Sequence, residues 1–266
     1  MTRYKIGEIA RLFGLTTQAL RFYEQEGVIV PQKSENGTRY YTSSDIIRLL
    51  AFKKYQFSEF SVQDVALHFM QGSLGSLITQ LDAKSDELIA QSEALLKRAR
   101  AIRSFERQLR EAQAHEGEIL CAETADAYLY APTFDELNVL DKHQMETFVA
   151  FAGAMPVTSM CFTCPTDLSA APEFRFGVSR QAAETWMLPL DHAMHIPPFR
   201  CVRIYVRAAV QPWNQAYMES IIRRVCDAGY TVSHDRPILG YHLASETIDG
   251  IVYLYGAFCI PVDESA

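Results

Sequence analysis

The sequence predicts an α+β chain of 266 residues: a small helical head with a hairpin, one long connecting helix, and a body that alternates strands and helices. Three observations predict it. Short apolar stripes at helical spacing end at glycines within the first 70 residues, a strict seven-residue leucine step starts at Leu74, and strand-like and helix-like segments alternate from residue 118 onward. Length divided by ~150 residues per domain gives about two domains, and 48% hydrophobic residues is enough to build cores. The boundaries expected are 1–72 for the head, 73–116 for the connecting helix and 117–266 for the body.

Charge is unevenly spread along the chain. Residues 1–56 carry +4, residues 57–117 carry −2 and residues 118–266 carry −9, within a net −7. A basic head on an acidic body points to an anionic partner such as nucleic acid at one end, and to a different partner at the other. This composition excludes a disordered, collagen-like or disulfide-scaffold protein. Met1 to Lys5 form no apolar leader, and the longest apolar stretch, around Val149 to Phe162, is broken by Pro156. A cytoplasmic chain with no membrane partner is expected, and its six cysteines are read as reduced thiols.

In the head, Ile6, Ile9, Ala10 and Phe13 form one helical stripe stopped by Gly14. Thr16 is a good N-cap for a second helix that carries Ala19, Leu20 and Tyr23 inward and ends at Gly27. Two short helices around a glycine-containing turn make a helix-turn-helix unit. Thr17, Gln18 and Arg21 would then point outward, with side chains suited to base edges and phosphates. Val28 to Tyr41 reads as a hairpin turning at Asn36-Gly37, a wing beside the helices. Ser44-Asp45 is expected to cap a third helix, with Ile46, Leu49, Leu50 and Phe52. Ser61 is expected to open a fourth, with Val62, Val65, Ala66 and Phe69.

These residues resemble the winged helix-turn-helix head of the MerR family over roughly positions 4–70. The resemblance rests on Tyr4-Lys5-Ile6-Gly7-Glu8-Ile9-Ala10, Leu20-Arg21-Phe22-Tyr23-Glu24-Gln25-Glu26-Gly27, Gly37-Thr38-Arg39-Tyr40-Tyr41 and Asp45-Ile46. One departure is Glu59, which precedes Phe60-Ser61-Val62 where the family usually has glycine. The resemblance implies that Arg21 and Tyr23 clamp phosphates and that Thr17 and Gln18 approach bases. It also implies that Arg39 and Tyr41 of the wing grip the DNA backbone, with Lys33 and Tyr40 beside them.

Leu74, Leu81, Leu88, Leu95, Ile102 and Leu109 step by seven with charged residues between, the pattern of a long helix with a coiled-coil seam. The second seam position, Leu77, Lys84, Gln91, Arg98 and Phe105, is partly polar. Gly72, Gly75 and Gly117 bound the helix. A homodimer follows, since two recognition helices read two half-sites of a palindrome. In the resembled family this helix forms an antiparallel dimer coil on a promoter operator. Effector binding makes the dimer distort the DNA so that RNA polymerase can start, which implies an activator with double-stranded DNA, RNA polymerase and a small-molecule effector as partners.

The body reads as two passes of strand, helix, strand, strand. The first uses Ala127–Ala131, Lys142–Phe151, Val157–Thr163 and Phe174–Ser179, and the second uses Cys201–Val206, Trp213–Ala228, Ile238–Leu243 and Ile251–Val262. Arg200-Cys201-Val202-Arg203-Ile204-Tyr205 and Phe258-Cys259-Ile260-Pro261-Val262 resemble the gyrase-inhibitor-like effector domain found behind many MerR-type heads, a domain of the multidrug-sensing type. Ile251, Tyr253 and Tyr255 share one face of the last strand. With Trp186, Tyr205, Trp213 and Tyr241 they offer a lining for a planar or cationic ligand.

Relatives pair lipophilic cations with a buried carboxylate. Where many carry a glutamate before the Ile-Pro-Val ending, this chain has Gly256-Ala257-Phe258, leaving Glu246, after the preceding strand, and Glu219 as substitutes. Arg203 and Arg207 leave an anionic effector or metabolite open. A hydrolase-like body with Glu246 as base is the competing reading. Cys161 and Cys164 are read as buried small residues, Cys121 as lacking a cysteine partner, and His192 and His195 as doubtful neighbours on a helix interrupted by prolines. No nucleotide, zinc-protease or acyl-transfer motif occurs, so no enzyme activity, cofactor or metal is expected.

Overall fold

The computed structural model describes residues 3–35, 37–132, 142–209 and 214–263. The chain divides into two compact units, Met1–Leu96 and Lys97–Ala266, with the division inside the long helix.

The first unit opens with α1 (Ile6–Phe13) and α2 (Thr17–Gln25). Gly14 ends α1 at φ 63°, a left-handed turn that glycine adopts without a Cβ penalty. Thr16 starts α2, its hydroxyl accepting from the Ala19 amide at 3.0 Å. Strands β1 (Gln32–Lys33) and β2 (Arg39–Tyr40) form the antiparallel wing, whose turn closes through Ser34 and Gly37. Asn36, placed at that turn from sequence, lies outside the described residues.

Helix α3 (Ser43–Phe57) starts two residues earlier than expected. Its cap is Thr42, whose amide and hydroxyl both reach the Asp45 carboxylate, at 2.8 and 2.9 Å. Ser61 and Asp64 repeat that reciprocal arrangement at the start of α4 (Val62–Gln71). Ile9, Leu20, Val28, Ile29, Tyr41, Leu49 and Phe52 make the core of this unit. Glu59 sits at φ 58° in the turn before α4, where a glycine is conformationally at ease, and its carboxylate meets Lys84 Nζ at 3.2 Å.

Helix α5 (Leu74–Ala114) has 41 residues, about 62 Å at 1.5 Å per residue. Gly75 falls inside it and does not bound it. Seam residues Leu74, Leu81, Leu95 and Ile102 are exposed in the single chain.

The second unit is built on one eight-stranded sheet, antiparallel throughout, in the order β3-β8-β10-β9-β5-β6-β4-β7. In chain order these are β3 (Ile119–Glu123), β4 (Ala127–Tyr130), β5 (Ser159–Cys164), β6 (Glu173–Ser179), β7 (Ala193–Ile196), β8 (Arg200–Ala209), β9 (Ile238–Ile248) and β10 (Ile251–Pro261). The helices are α6 (Lys142–Gly153), α7 (Arg180–Trp186) and α8 (Gln215–Asp227). Alternation along the strands buries Val202, Ile204, Phe258 and Ile260 with Met218, Ile221 and Val225 of α8. Tyr130, Phe176 and Val178 pack with Phe151 of α6 and Ala183 of α7. The strand neighbours of opposite parity, Leu129, Cys161, Cys201, Leu239 and Cys259, cluster on the other face. Gly240 lets β9 lie close to β5, since a Cβ there would come within 1.8 Å of the Phe162 ring.

Two elements differ from the sequence reading. Ala193–Ile196 form a short strand, β7, that the sequence did not mark, with His192 in the turn before it, because the partners of these residues are the backbone of β4. Strand β9 runs on to Ile248, because Asp249 and Gly250 both have positive φ and close a two-residue hairpin directly into β10. Among the described residues, no helix is long and apolar enough to cross a membrane.

Candidate nucleic-acid interface and ligand cavity

Helix α2 presents its first turns outward. Thr17, Gln18 and Arg21 are exposed, while Leu20 and the Tyr23 ring, which lies 4.6 Å from the Phe52 ring, anchor the opposite side. Arg21 and Lys33 have no carboxylate partner among the described residues, so their charges are available to phosphates. The Arg3 guanidinium covers the Tyr40 ring at 4.3 Å.

The rest of the wing is organised by Glu24. Its carboxylate accepts from Arg39 Nε at 2.9 Å and from the Tyr41 hydroxyl. Tyr41 is 0% exposed, which corrects its expected place on the DNA backbone: a side chain with no exposed atom ties the wing to α2 instead. Burial first, and the Glu24 carboxylate second, push the Tyr41 phenol well above its ordinary pKa. Arg48 bonds the carbonyls of Val28 and Gly27 at 3.0 and 3.3 Å, fixing the end of the helix-turn-helix to α3.

In the second unit a cavity of about 250 Å³ opens on the sheet face away from α8. Tyr205 and Arg203 of β8, Cys259 of β10, Tyr241 of β9, Leu129 of β4 and Glu111 of α5 line it. Arg203 Nη1 stands 3.7 Å from Glu111 Oε1. Burial, helped by the bond to Glu111, raises Tyr205 to about 12. Burial again, with the nearby thiols of Cys259 and Cys161, holds Tyr241 well above its usual value. Both phenols are therefore neutral donors at physiological pH. Cys201 donates to Cys259, and this bond together with burial pushes its thiol up.

Of the aromatics singled out from sequence, the structure brings Tyr205 and Tyr241 into this cavity. Trp186 lines an adjoining one, and Trp213 lies outside the described residues. Glu246 belongs to β9, opposite Tyr253, and accepts from the Tyr255 hydroxyl at 2.8 Å while pairing with Arg207 Nη1 at 3.4 Å. Arg207 also meets Glu116 at 3.3 Å and covers the Tyr253 ring at 5.6 Å. Glu246, Tyr253 and Tyr255 thus form a paired cluster apart from the cavities lined by the described residues. Glu219 bonds Gln215 on α8.

Cys161 and Cys164 are both buried but join clusters on opposite sheet faces, since an odd spacing along a strand separates them. His195 meets Asp126 at 2.5 Å, alongside Arg180. Among the described residues no three His, Cys, Asp or Glu side chains form a metal-holding group. Sequence reading missed Glu111, Gln108 and Cys259 as lining residues. The alternation that put Tyr253 and Tyr255 together also puts Ala257 and Cys259 on their face, and that was the usable signal.

Residues 4–70 match the family model described as MerR HTH family regulatory protein. The chain is 35% identical over 60 residues to the HTH-type transcriptional regulator CueR of Escherichia coli, a match spanning 22% of this chain and 44% of that protein. It is 31% identical over 94 residues to the HTH-type transcriptional regulator SkgA of Caulobacter vibrioides, spanning 35% of this chain and 36% of the other. The chain thus covers less than half the length of these curated relatives. A crystal structure of a MerR-family transcriptional regulator from Bacillus cereus aligns with 41% of this chain and 84% of its own, at 21% identity and a TM-score of 0.36. Residues 4–70 form a MerR-type helix-turn-helix segment.

Proposed function

We propose that the chain is a ligand-responsive, DNA-binding transcriptional regulator of MerR type. The observation that carries this reading is α2: three exposed side chains suited to DNA, Thr17, Gln18 and Arg21, on a helix whose other side is locked in the core of a MerR-type segment. Arg21 supplies phosphate contact, Thr17 and Gln18 approach base edges, and Lys33 and Arg39 stand on the wing. Tyr40 stands beside them on the wing, and Tyr23, buried against Phe52, supports α2 from the core side. The exposed stripe of Leu74, Leu81, Leu95 and Ile102 supports a homodimer through α5, which places two α2 helices on a palindromic operator. We read 1–72 as the DNA-binding domain, 73–116 as the dimerisation helix and 117–266 as the effector domain, with RNA polymerase as partner and activation as the outcome.

The strand order supports a duplicated body. β5-β6-β4 and β9-β10-β8 have the same internal order, each has its helix after its first strand, and they meet at the antiparallel β5–β9 pair. The cavity crosses that junction, as a ligand site shared by two repeats would. A cationic effector finds little support in this geometry. Among the described residues the one carboxylate of the cavity, Glu111, faces Arg203, and Glu246 and Glu219 lie elsewhere.

Selection of bound duplexes from a random pool with the purified full chain tests the reading. A two-fold symmetric consensus whose binding is lost in Arg21→Ala, with the oligomer unchanged, is the expected result. Failure to enrich any consensus would overturn it.

A further inference from the structure

We propose that the body binds an amphiphilic organic anion, its charged head beside Lys97, Arg100 and Trp186 and its apolar part running past Gln108 toward Tyr241 and Leu129. This deepens the reading of the body as a ligand sensor and rests on it. The head-group end is a second cavity of about 350 Å³, lined by Lys97 and Arg100 of α5 and by Gln181, Thr185 and Trp186 of α7. No aspartate or glutamate lines it among the described residues. Lys97 and Arg100 stand three residues apart and so share one face of α5.

Neither cation has a carboxylate partner among the described residues. Lys97 Nζ instead lies 4.4 Å above the centre of the Trp186 ring. That attraction orients the ammonium without neutralising it, which leaves a positioned charge facing a cavity. Two cations of β8 contrast with these two. Arg203 is paired with Glu111, and Arg207 with Glu116 and Glu246. Among the described residues that line these two cavities, the cations without a carboxylate partner are Lys97 and Arg100, and a cationic ligand there would meet two like charges.

Gln108, Val157 and Ser179 line both cavities, so the two adjoin. From Arg100 to Glu111 is a rise of about 16 Å along α5 at 1.5 Å per residue, which sets the length available to the ligand. Beyond the head group the lining includes Leu129, Val157, Leu243, Ala257 and the two neutral phenols, with Arg203 and Glu111 facing each other, which leaves a surface for an apolar or aromatic body between them.

The test uses the full chain in a Trp213→Phe background, so that energy transfer reports from Trp186. Three probes share one aromatic body: pyrenebutyrate, pyrenebutanol and pyrenebutyl-trimethylammonium. Expected is saturable transfer to pyrenebutyrate with much weaker binding of the cation. Lys97→Gln/Arg100→Gln should weaken pyrenebutyrate at least tenfold and leave pyrenebutanol unchanged, with circular dichroism confirming that the variant is folded. Tighter binding of the cation, or an unchanged pyrenebutyrate affinity in the variant, overturns the anion inference and leaves the sensor reading standing. Saturable binding by none of the three overturns both.

Discussion

Glu24 is the clearest place to test how the wing is held to the recognition helix. Its side chain is 12% exposed and serves two donors, the Arg39 guanidinium, itself 48% exposed, and the hydroxyl of Tyr41. A hydrogen bond to a charged group contributes roughly 1.5–3 kcal/mol when buried, whereas an ion pair with one partner half in water is screened to about 0.2–1 kcal/mol. Double-mutant cycles therefore predict a Glu24–Tyr41 coupling of about 1.5–3 kcal/mol, from Glu24→Ala and Tyr41→Phe, and a Glu24–Arg39 coupling below about 1 kcal/mol. Amide hydrogen exchange of the full chain, read over α2 and the wing, measures both. The pH dependence adds an independent check. Because the folded state raises the Tyr41 phenol above its ordinary value near 10, the stabilisation is complete below that pH and declines as pH rises through and beyond it. Tyr41→Phe removes that decline. A Glu24–Tyr41 coupling smaller than that of Glu24–Arg39 would refute the reasoning.

Four further outcomes are expected. Glu59→Gly should be more stable than Glu59→Ala by about 1 kcal/mol in urea unfolding, because both lose the Lys84 pair but only glycine relieves φ 58°. Arg21→Ala should weaken binding to all sequences alike and reduce the salt slope by about 0.9, while Gln18→Ala should relax base preference at one position by about 1–3 kcal/mol, both read by fluorescence anisotropy against salt and operator variants. Leu95→Lys/Ile102→Lys, which places charges on the exposed seam, should shift the chain toward monomer in sedimentation velocity without unfolding the body. Gly240→Ala should cost more than about 2 kcal/mol in thermal unfolding, since its methyl would overlap the Phe162 ring.

What the sequence revealed, and what it hid, divides by range. Local signals sufficed for the head: Thr16 and Ser61 cap their helices and Gly14 ends one, as their side-chain chemistry dictates. The seven-residue step likewise announced α5, though at 41 residues the helix is longer than that repeat required. Tyr41 was misjudged because burial is a tertiary property, and a tyrosine just after a two-residue strand looks the same facing core or DNA. The body's paired strands β4, β5, β6, β8, β9 and β10 were legible from alternation, but β3 and β7 are short edge strands whose identity comes from their neighbours. Glu246 was placed after a strand because the Asp249-Gly250 hairpin signal went unused. Once that turn is recognised, Glu246 must lie in β9 across from Tyr253. Lys97, Arg100 and Glu111 drew no attention as site residues because on a long polar helix such charges are ordinary, and only the packing of the sheet against them distinguishes these.

The periodicity of α5 bears on how one helix could serve both the proposed ligand and the proposed second copy of the chain. At 100° per residue, Arg100, Ser104, Gln108 and Glu111 project about 140–220° around the axis from Leu95, and Lys97 about 200°. These line the two cavities together with Ala101 and Phe105, which stand at about 240° and 280° and so carry the cavity side toward one flank of the seam. Ile102 and Leu109, which continue the leucine step, fall within about 40° of Leu95 on the opposite side. A ligand can bias a regulator only by binding two arrangements with different affinity. A helix with most of its cavity residues opposite its leucine seam, and Phe105 shared between cavity and second seam position, would supply such a difference. In the proposed dimer, any rotation of α5 that improves the fit of the proposed ligand to Lys97 and Arg100 turns the seam by the same angle, so the cost or gain at the dimer contact would be coupled to occupancy without a separate relay.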